Sequence, residues 1–77
     1  MTPTQCRAAR GLIGLTRDEL ASARSFPVAK IVAYEIGVVR LGETDRKALR
    51  RVLELGGVEF VDGEQSGVRL RALDGFG

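Results

Sequence analysis

The sequence contains no histidine and a single cysteine in 77 residues. Without histidine, the commonest general base and the usual metal ligand are both missing. Cys6 alone closes no internal disulfide and builds no structural zinc site. No apolar run approaches the ~20 residues of a membrane span. No cationic stretch followed by an apolar segment and small residues opens the chain. No phosphate-cradling glycine loop and no nucleophile–base pair is in view, and Asp62 and Glu64 read as turn residues rather than an acid pair. These absences predict a soluble, cytoplasmic non-enzyme, with no catalytic residues, no bound metal and no cofactor.

What is present describes a small globular domain. The length suits one domain with a small core and marginal stability, which dimerisation would improve. The apolar share of 44% and charged share of 29% are ordinary for a folded protein, so disorder is not expected for most of the chain. The net charge is only +2, but ten of the twelve basic residues are arginine. Arginine presents a planar fork of donors that suits phosphates and base edges. A GC-rich genome produces the same bias, and composition alone does not separate the two readings.

The order of punctuation predicts four helices and a hairpin. Thr2-Pro3-Thr4-Gln5 reads as a capping box opening a first helix. Cys6, Ala9 and Ile13 then recur at helical spacing, with Arg7 and Arg10 off that stripe and Gly14 as the stop. Cys6 on this stripe reads as core, not as a redox switch. Thr16 and Glu19 form a second capping box, and this short helix should end near Arg24 with Leu20 and Ala21 inward. A third helix is expected from Pro27 to Ile36, stopped by Gly37. Val38 to Gly42 reads as a connection, and Thr44 as the cap of a fourth helix ending at Gly56-Gly57. Leu49, Val52 and Leu53 form its apolar stripe, and Arg46, Lys47, Arg50 and Arg51 a basic outer face. The period then changes. Val58–Val61 and Val68–Arg71 alternate as strands around a turn-rich loop, Asp62–Gly67. Residues 1–57 are thus expected as a helical domain, 58–71 as a hairpin packed on it or used for dimerisation, and 72–77 as a flexible tail.

The segment Arg17 to Gly37, RDELASARSFPVAKIVAYEIG, resembles the helix-turn-helix of the Cro/C1 repressor class, the XRE family of transcriptional regulators. Leu15-Thr16, Glu19-Leu20-Ala21, Phe26, Ile31, Tyr34-Glu35 and Gly37 carry the resemblance. The opening TPTQCRAARGLIG and the ending GGVEFVDGEQSGVRLR extend it to short bacterial members, from Thr2 to Arg71. The fold it implies is mainly α, a four-helix Cro/C1-like domain with a C-terminal β-hairpin. The function it implies is transcriptional regulation by a dimer that places two third helices in successive major grooves of double-stranded DNA. The site residues it implies are Pro27, Val28, Ala29 and Lys30, with Val32 and Ala33 one turn on, Arg17 near a phosphate, and Arg40 beyond the helix. The family usually has glycine where Ser25 stands, so a slightly altered turn is expected.

The groove-facing positions are mostly apolar here, and three readings of the third helix stay open. It is a weakly polar recognition helix whose affinity comes from arginine–phosphate contacts. Or Val28, Ala29, Val32, Ala33 and Ile36 grip another protein, such as a transcription factor. Or the stripe is core, covered by this chain or by a second copy. The weaker basic candidates each have a bland alternative. Arg7 and Arg10 meet a phosphate or solvent; Arg46, Lys47, Arg50 and Arg51 bind phosphates or form a solvated face; Arg69 and Arg71 contact DNA or pair with carboxylates. The hairpin edge is the expected dimer surface, because an unpaired strand edge invites pairing.

Overall fold

The computed structural model describes residues 1–63 and 66–71. Four helices precede a hairpin: α1 (Pro3–Ile13), α2 (Arg17–Ala23), α3 (Val28–Glu35), α4 (Glu43–Leu55), β1 (Val58–Val61) and β2 (Gly67–Leu70). The two strands pair antiparallel, with Val58 opposite Leu70 and Phe60 opposite Val68. The expected tail at 72–77, and Glu64 and Gln65 of the expected turn, lie outside the described residues. Among the described residues, no helix is long and apolar enough to cross a membrane.

The first two helices start where their side chains bond back to the main chain. Thr2 and Gln5 form a reciprocal capping box, with bonds of 3.1 and 2.9 Å. Thr16 and Glu19 repeat it at 3.0 and 2.9 Å. Each box satisfies two donors that the helix itself leaves free. Gly14 ends α1 in the left-handed region. The fourth helix departs from expectation. Its cap is Gly42, whose carbonyl accepts from the Arg46 amide at 3.0 Å, and Thr44 sits inside the first turn. No side chain caps it; Glu43 and Asp45 in the first turn favour the positive end of its dipole. The third helix is likewise shorter than expected. Pro27 is its extended cap and Ile36 its C-terminal cap, neither within it. β2 begins at Gly67, one residue early, and the Arg71 amide continues the ladder to the Gly57 carbonyl at 2.7 Å.

The core gathers from every element. Cys6 and Ala9 of α1, Leu20 and Ala21 of α2, Ile31 and Tyr34 of α3, Leu41, Leu49 and Leu53, and Val58 are buried together. Phe26, Val52, Phe60 and Val68 pack against them half-buried. Gly56 lets the end of α4 approach α1: a Cβ there would stand 2.8 Å from Ile13 Cδ1 and 3.3 Å from the Leu53 carbonyl. At its other end α1 holds the hairpin. The buried Gln5 amide donates to the carbonyls of Val61 and Gly67, 3.1 Å each.

The turn between α2 and α3 keeps a left-handed residue despite the serine. Ser25 has φ +50°, its amide donates to Ser22, and the Phe26 amide donates to the Ala21 carbonyl at 2.8 Å. This is the Schellman pattern, in which the residue after the cap is normally glycine. The expected altered turn is therefore not found. The two backbone bonds and Phe26's packing hold serine in a conformation that costs L-residues on the order of 1 kcal/mol. Replacing Ser25 by glycine should leave stability unchanged or raise it by up to about 1 kcal/mol, while Ser25→Val should lower it by about 1–2 kcal/mol. Urea denaturation of the three proteins checks the order, and a valine variant as stable as wild type contradicts it.

Candidate nucleic-acid interface

The position of α3 is set by a carboxylate on its inner face. Ile31 is buried, and four residues on, at the same face, comes Glu35. Its side chain has no exposure to solvent. A bare carboxylate there would be prohibitive, so the surrounding donors are the structural fact that matters. Arg10 approaches with both prongs: Nε donates to Oε2 at 2.7 Å and Nη2 to Oε1 at 2.7 Å. Arg17 Nε donates to Oε1 at 2.9 Å, and Cys6 Sγ to Oε2 at 3.3 Å. Arg10 also donates to the Leu15 carbonyl at 3.1 Å, and Arg7 to the Glu35 carbonyl at 3.4 Å. One side chain thus joins α1, α2 and α3.

These contacts move the titration of each partner. Burial raises the Glu35 pKa, but the bonds from Arg10, Arg17 and Cys6 outweigh it and hold the carboxyl below its ordinary 4.5. The bond to Glu35 holds the Arg10 guanidinium above its ordinary value against the opposing effect of burial. Burial, then the bond to Glu35, pushes the Cys6 thiol up to about 12, so it stays protonated and inert at neutral pH.

The same contacts redirect two expected phosphate ligands. Arg10 lies half-buried on Glu35, not free for a phosphate. Arg17 is also half-buried and bonded to Glu35, with Asp18 and Glu19 exposed beside it. Neither pairing was legible from the local sequence, because the residues are 25 and 18 positions from Glu35. The signal that existed was Glu35 itself, a carboxylate on the stripe of Ile31.

The outer side of α3 is divided. Pro27, Val28, Ala29 and Lys30 at its start are exposed, as expected of a presented helix end. Val32 and Ala33 are half-buried, and the Val38 amide donates to the Ala33 carbonyl at 2.9 Å. The expectation that both stand fully outward is corrected: each is only partly exposed. Ile36 is 59% exposed, and Val38 beyond it 70%. Lys30 Nζ lies 5.8 Å from the centre of the Phe26 ring, within cation–π reach.

The cations outside the Glu35 cluster are unevenly paired. Among the described residues, no carboxylate lies within ion-pair distance of Arg24, Lys30, Arg40, Arg46 or Arg51. Arg40 and Arg46 stand on the walls of a groove of about 360 Å³ between the start of α1 and the loop after α3, beside Tyr34 and Leu41. The rest of the basic face of α4 is internally paired. Lys47 meets Glu43 at 2.9 Å, and Arg50 meets Glu54 at 3.1 Å and stacks 4.7 Å from the Phe60 ring centre. Of the two strand arginines, Arg69 pairs with Glu59 at 2.8 Å, and Arg71 donates to the Glu54 carbonyl at 2.8 Å. Neither a family model nor a curated protein sequence matches this chain.

Glu35→Gln should cost about 3 kcal/mol at neutral pH, because it leaves two guanidinium groups facing a neutral amide. Its pH dependence has a definite sign. The folded carboxyl has a lowered pKa, so the unfolded chain takes up the proton first. The stabilisation is complete above the ordinary value of 4.5 and is lost as pH falls through the folded value. The gap between wild type and Glu35→Gln, measured by urea denaturation, should therefore narrow from about pH 5 to pH 3. An equal gap at both ends of that range contradicts the assignment.

Proposed function

We propose that this protein binds double-stranded DNA as a helix-turn-helix transcriptional regulator of the Cro/C1 type, with α3 as the helix presented to the major groove. The observation that carries the reading is the exposed start of α3 (Pro27, Val28, Ala29 and Lys30) held rigidly outward by the Schellman turn behind it and the Glu35 cluster beneath it. The uncommitted cations Arg24, Lys30 and Arg40 supply phosphate contacts. The small apolar side chains of Val28 and Ala29 suit contact with thymine methyl groups. Base selectivity from such a surface is low, so most of the affinity is electrostatic.

A second reading rests on a separate observation. Ile36 and Val38 continue the apolar run of α3 into solvent. An apolar face of this kind fits a protein partner, such as a transcription factor whose action the chain modulates. On that reading Ile36→Glu breaks the complex while the domain stays folded.

Titration with generic duplex DNA at two salt concentrations tests the first reading. Binding should weaken steeply as salt rises, since each neutralised phosphate adds about −0.9 to the log–log slope. Lys30→Ala and Arg40→Ala should each weaken binding and reduce that slope by about one. Absence of binding at low salt, or a slope unmoved in both variants, overturns the proposal.

A further inference from the structure

We propose that the groove between the start of α1 and the loop after α3 binds a small organic anion, a carboxylate carrying an apolar body. The inference stands without the DNA reading, although both use Arg40.

The groove is preformed. Tyr34 and Leu41 line it and belong to the buried core. The Tyr34 hydroxyl donates to the Met1 carbonyl at 3.0 Å, which fastens the start of α1 to α3. The loop is anchored on both sides of the groove. The Gly37 amide donates to the Tyr34 carbonyl at 3.0 Å, and the Val38 amide to the Ala33 carbonyl at 2.9 Å. Leu41, three residues on, is 6% exposed. Between these anchors stand Val39 and Arg40, both exposed and both lining the groove. The volume is about 360 Å³. That is near the small end of the ~300–1,000 Å³ of ligand pockets, room for a small molecule rather than for a folded partner.

The lining selects the ligand by charge. Two cations line the groove, Arg40 from the loop and Arg46 from α4, and among the described residues no carboxylate does. Neither arginine has a carboxylate within ion-pair distance among the described residues. The acids closest in sequence are taken elsewhere. Glu35, next to Tyr34, is held by Arg10 and Arg17, and Glu43 of α4 by Lys47 at 2.9 Å. Arg46 acts on the groove's tyrosine: burial raises the Tyr34 pKa, and the charge of Arg46 opposes the rise.

The remaining lining selects the ligand's body. Pro3, Val39 and Leu41 offer apolar surface beside the two guanidinium groups. Each guanidinium can give a carboxylate two parallel hydrogen bonds. A bare phosphate would use the arginines and leave the apolar lining wet. A neutral apolar molecule would do the reverse. A carboxylate joined to an apolar group uses both, which is the usual division of labour in a ligand pocket.

Phenylacetate is the probe, titrated into the isotope-labelled protein and followed by amide NMR shifts. Saturable shifts are expected at Gly37, Val39, Arg40, Leu41 and Arg46, with a dissociation constant on the order of millimolar for so small a molecule. Benzyl alcohol keeps the ring without the charge, and acetate keeps the charge without the ring. Each should bind at least about tenfold more weakly. Arg40→Gln and Arg46→Gln should each weaken phenylacetate binding about five- to tenfold. Both side chains are exposed, so the variants keep the fold, which the unchanged remainder of the spectrum checks. Arg51→Gln, which removes an unpaired cation outside the groove, should bind as wild type. Shifts that rise without saturating, or that cluster away from the groove, overturn the proposal. So does inorganic phosphate binding as tightly as phenylacetate, which would make the arginines plain phosphate contacts. A loss in Arg51→Gln equal to that in Arg46→Gln overturns it as well. No DNA enters this test, so its failure is separate from a failure of the DNA reading.

Discussion

The fold depends on one buried carboxylate. Glu35 sits on the inner face of α3 and accepts from Arg10 of α1, Arg17 of α2 and Cys6 of α1. An ion buried this way is costly to leave unpaired and gains little over an apolar group when paired. Its consequence is geometric specificity. A carboxylate that must meet a two-pronged guanidinium admits few relative positions of α1 and α3. In a domain of this size, apolar packing alone fixes such positions weakly.

That constraint links the core to the surface. With Ile31, Tyr34 and Glu35 committed inward, the start of α3 has no alternative but to face solvent. Both ends of the helix are held by the same backbone device. The turn before it uses Ser25 in the left-handed region, and the turn after it uses Gly37 at φ +82°, with the Val38 amide on the Ala33 carbonyl. Val32 and Ala33, half-buried, mark the limit of the presented face. A ligand of α3 therefore meets Val28, Ala29 and Lys30 first, and Ile36 and Val38 at the far end.

Much of this was legible in the sequence wherever the cause is local. The capping boxes at Thr2 and Thr16, the stop at Gly14 and the alternation of the strands depend on residues a few positions apart. The start of α4 misled for the same reason. Thr44 is a good cap by type, but the helix begins at Glu43 behind a glycine that offers only its carbonyl. Ser25 misled differently: the left-handed turn persisted because two backbone bonds and Phe26 hold it, and no rule about serine alone contains them. The partners of Arg10 and Arg17 were beyond local reading, since a guanidinium looks the same whether it meets a phosphate or a buried carboxylate.

The most direct test of the account is a double-mutant cycle on Arg10 and Glu35, followed by urea denaturation. Arg10→Met and Glu35→Leu should each destabilise the protein by about 3–5 kcal/mol, since each strands a buried charge or its partner. The double variant, with an apolar pair in the same space, should recover much of that loss, giving a coupling energy above about 1.5 kcal/mol. Losses that simply add would mean the two side chains do not depend on each other, and that Glu35 does not organise the domain.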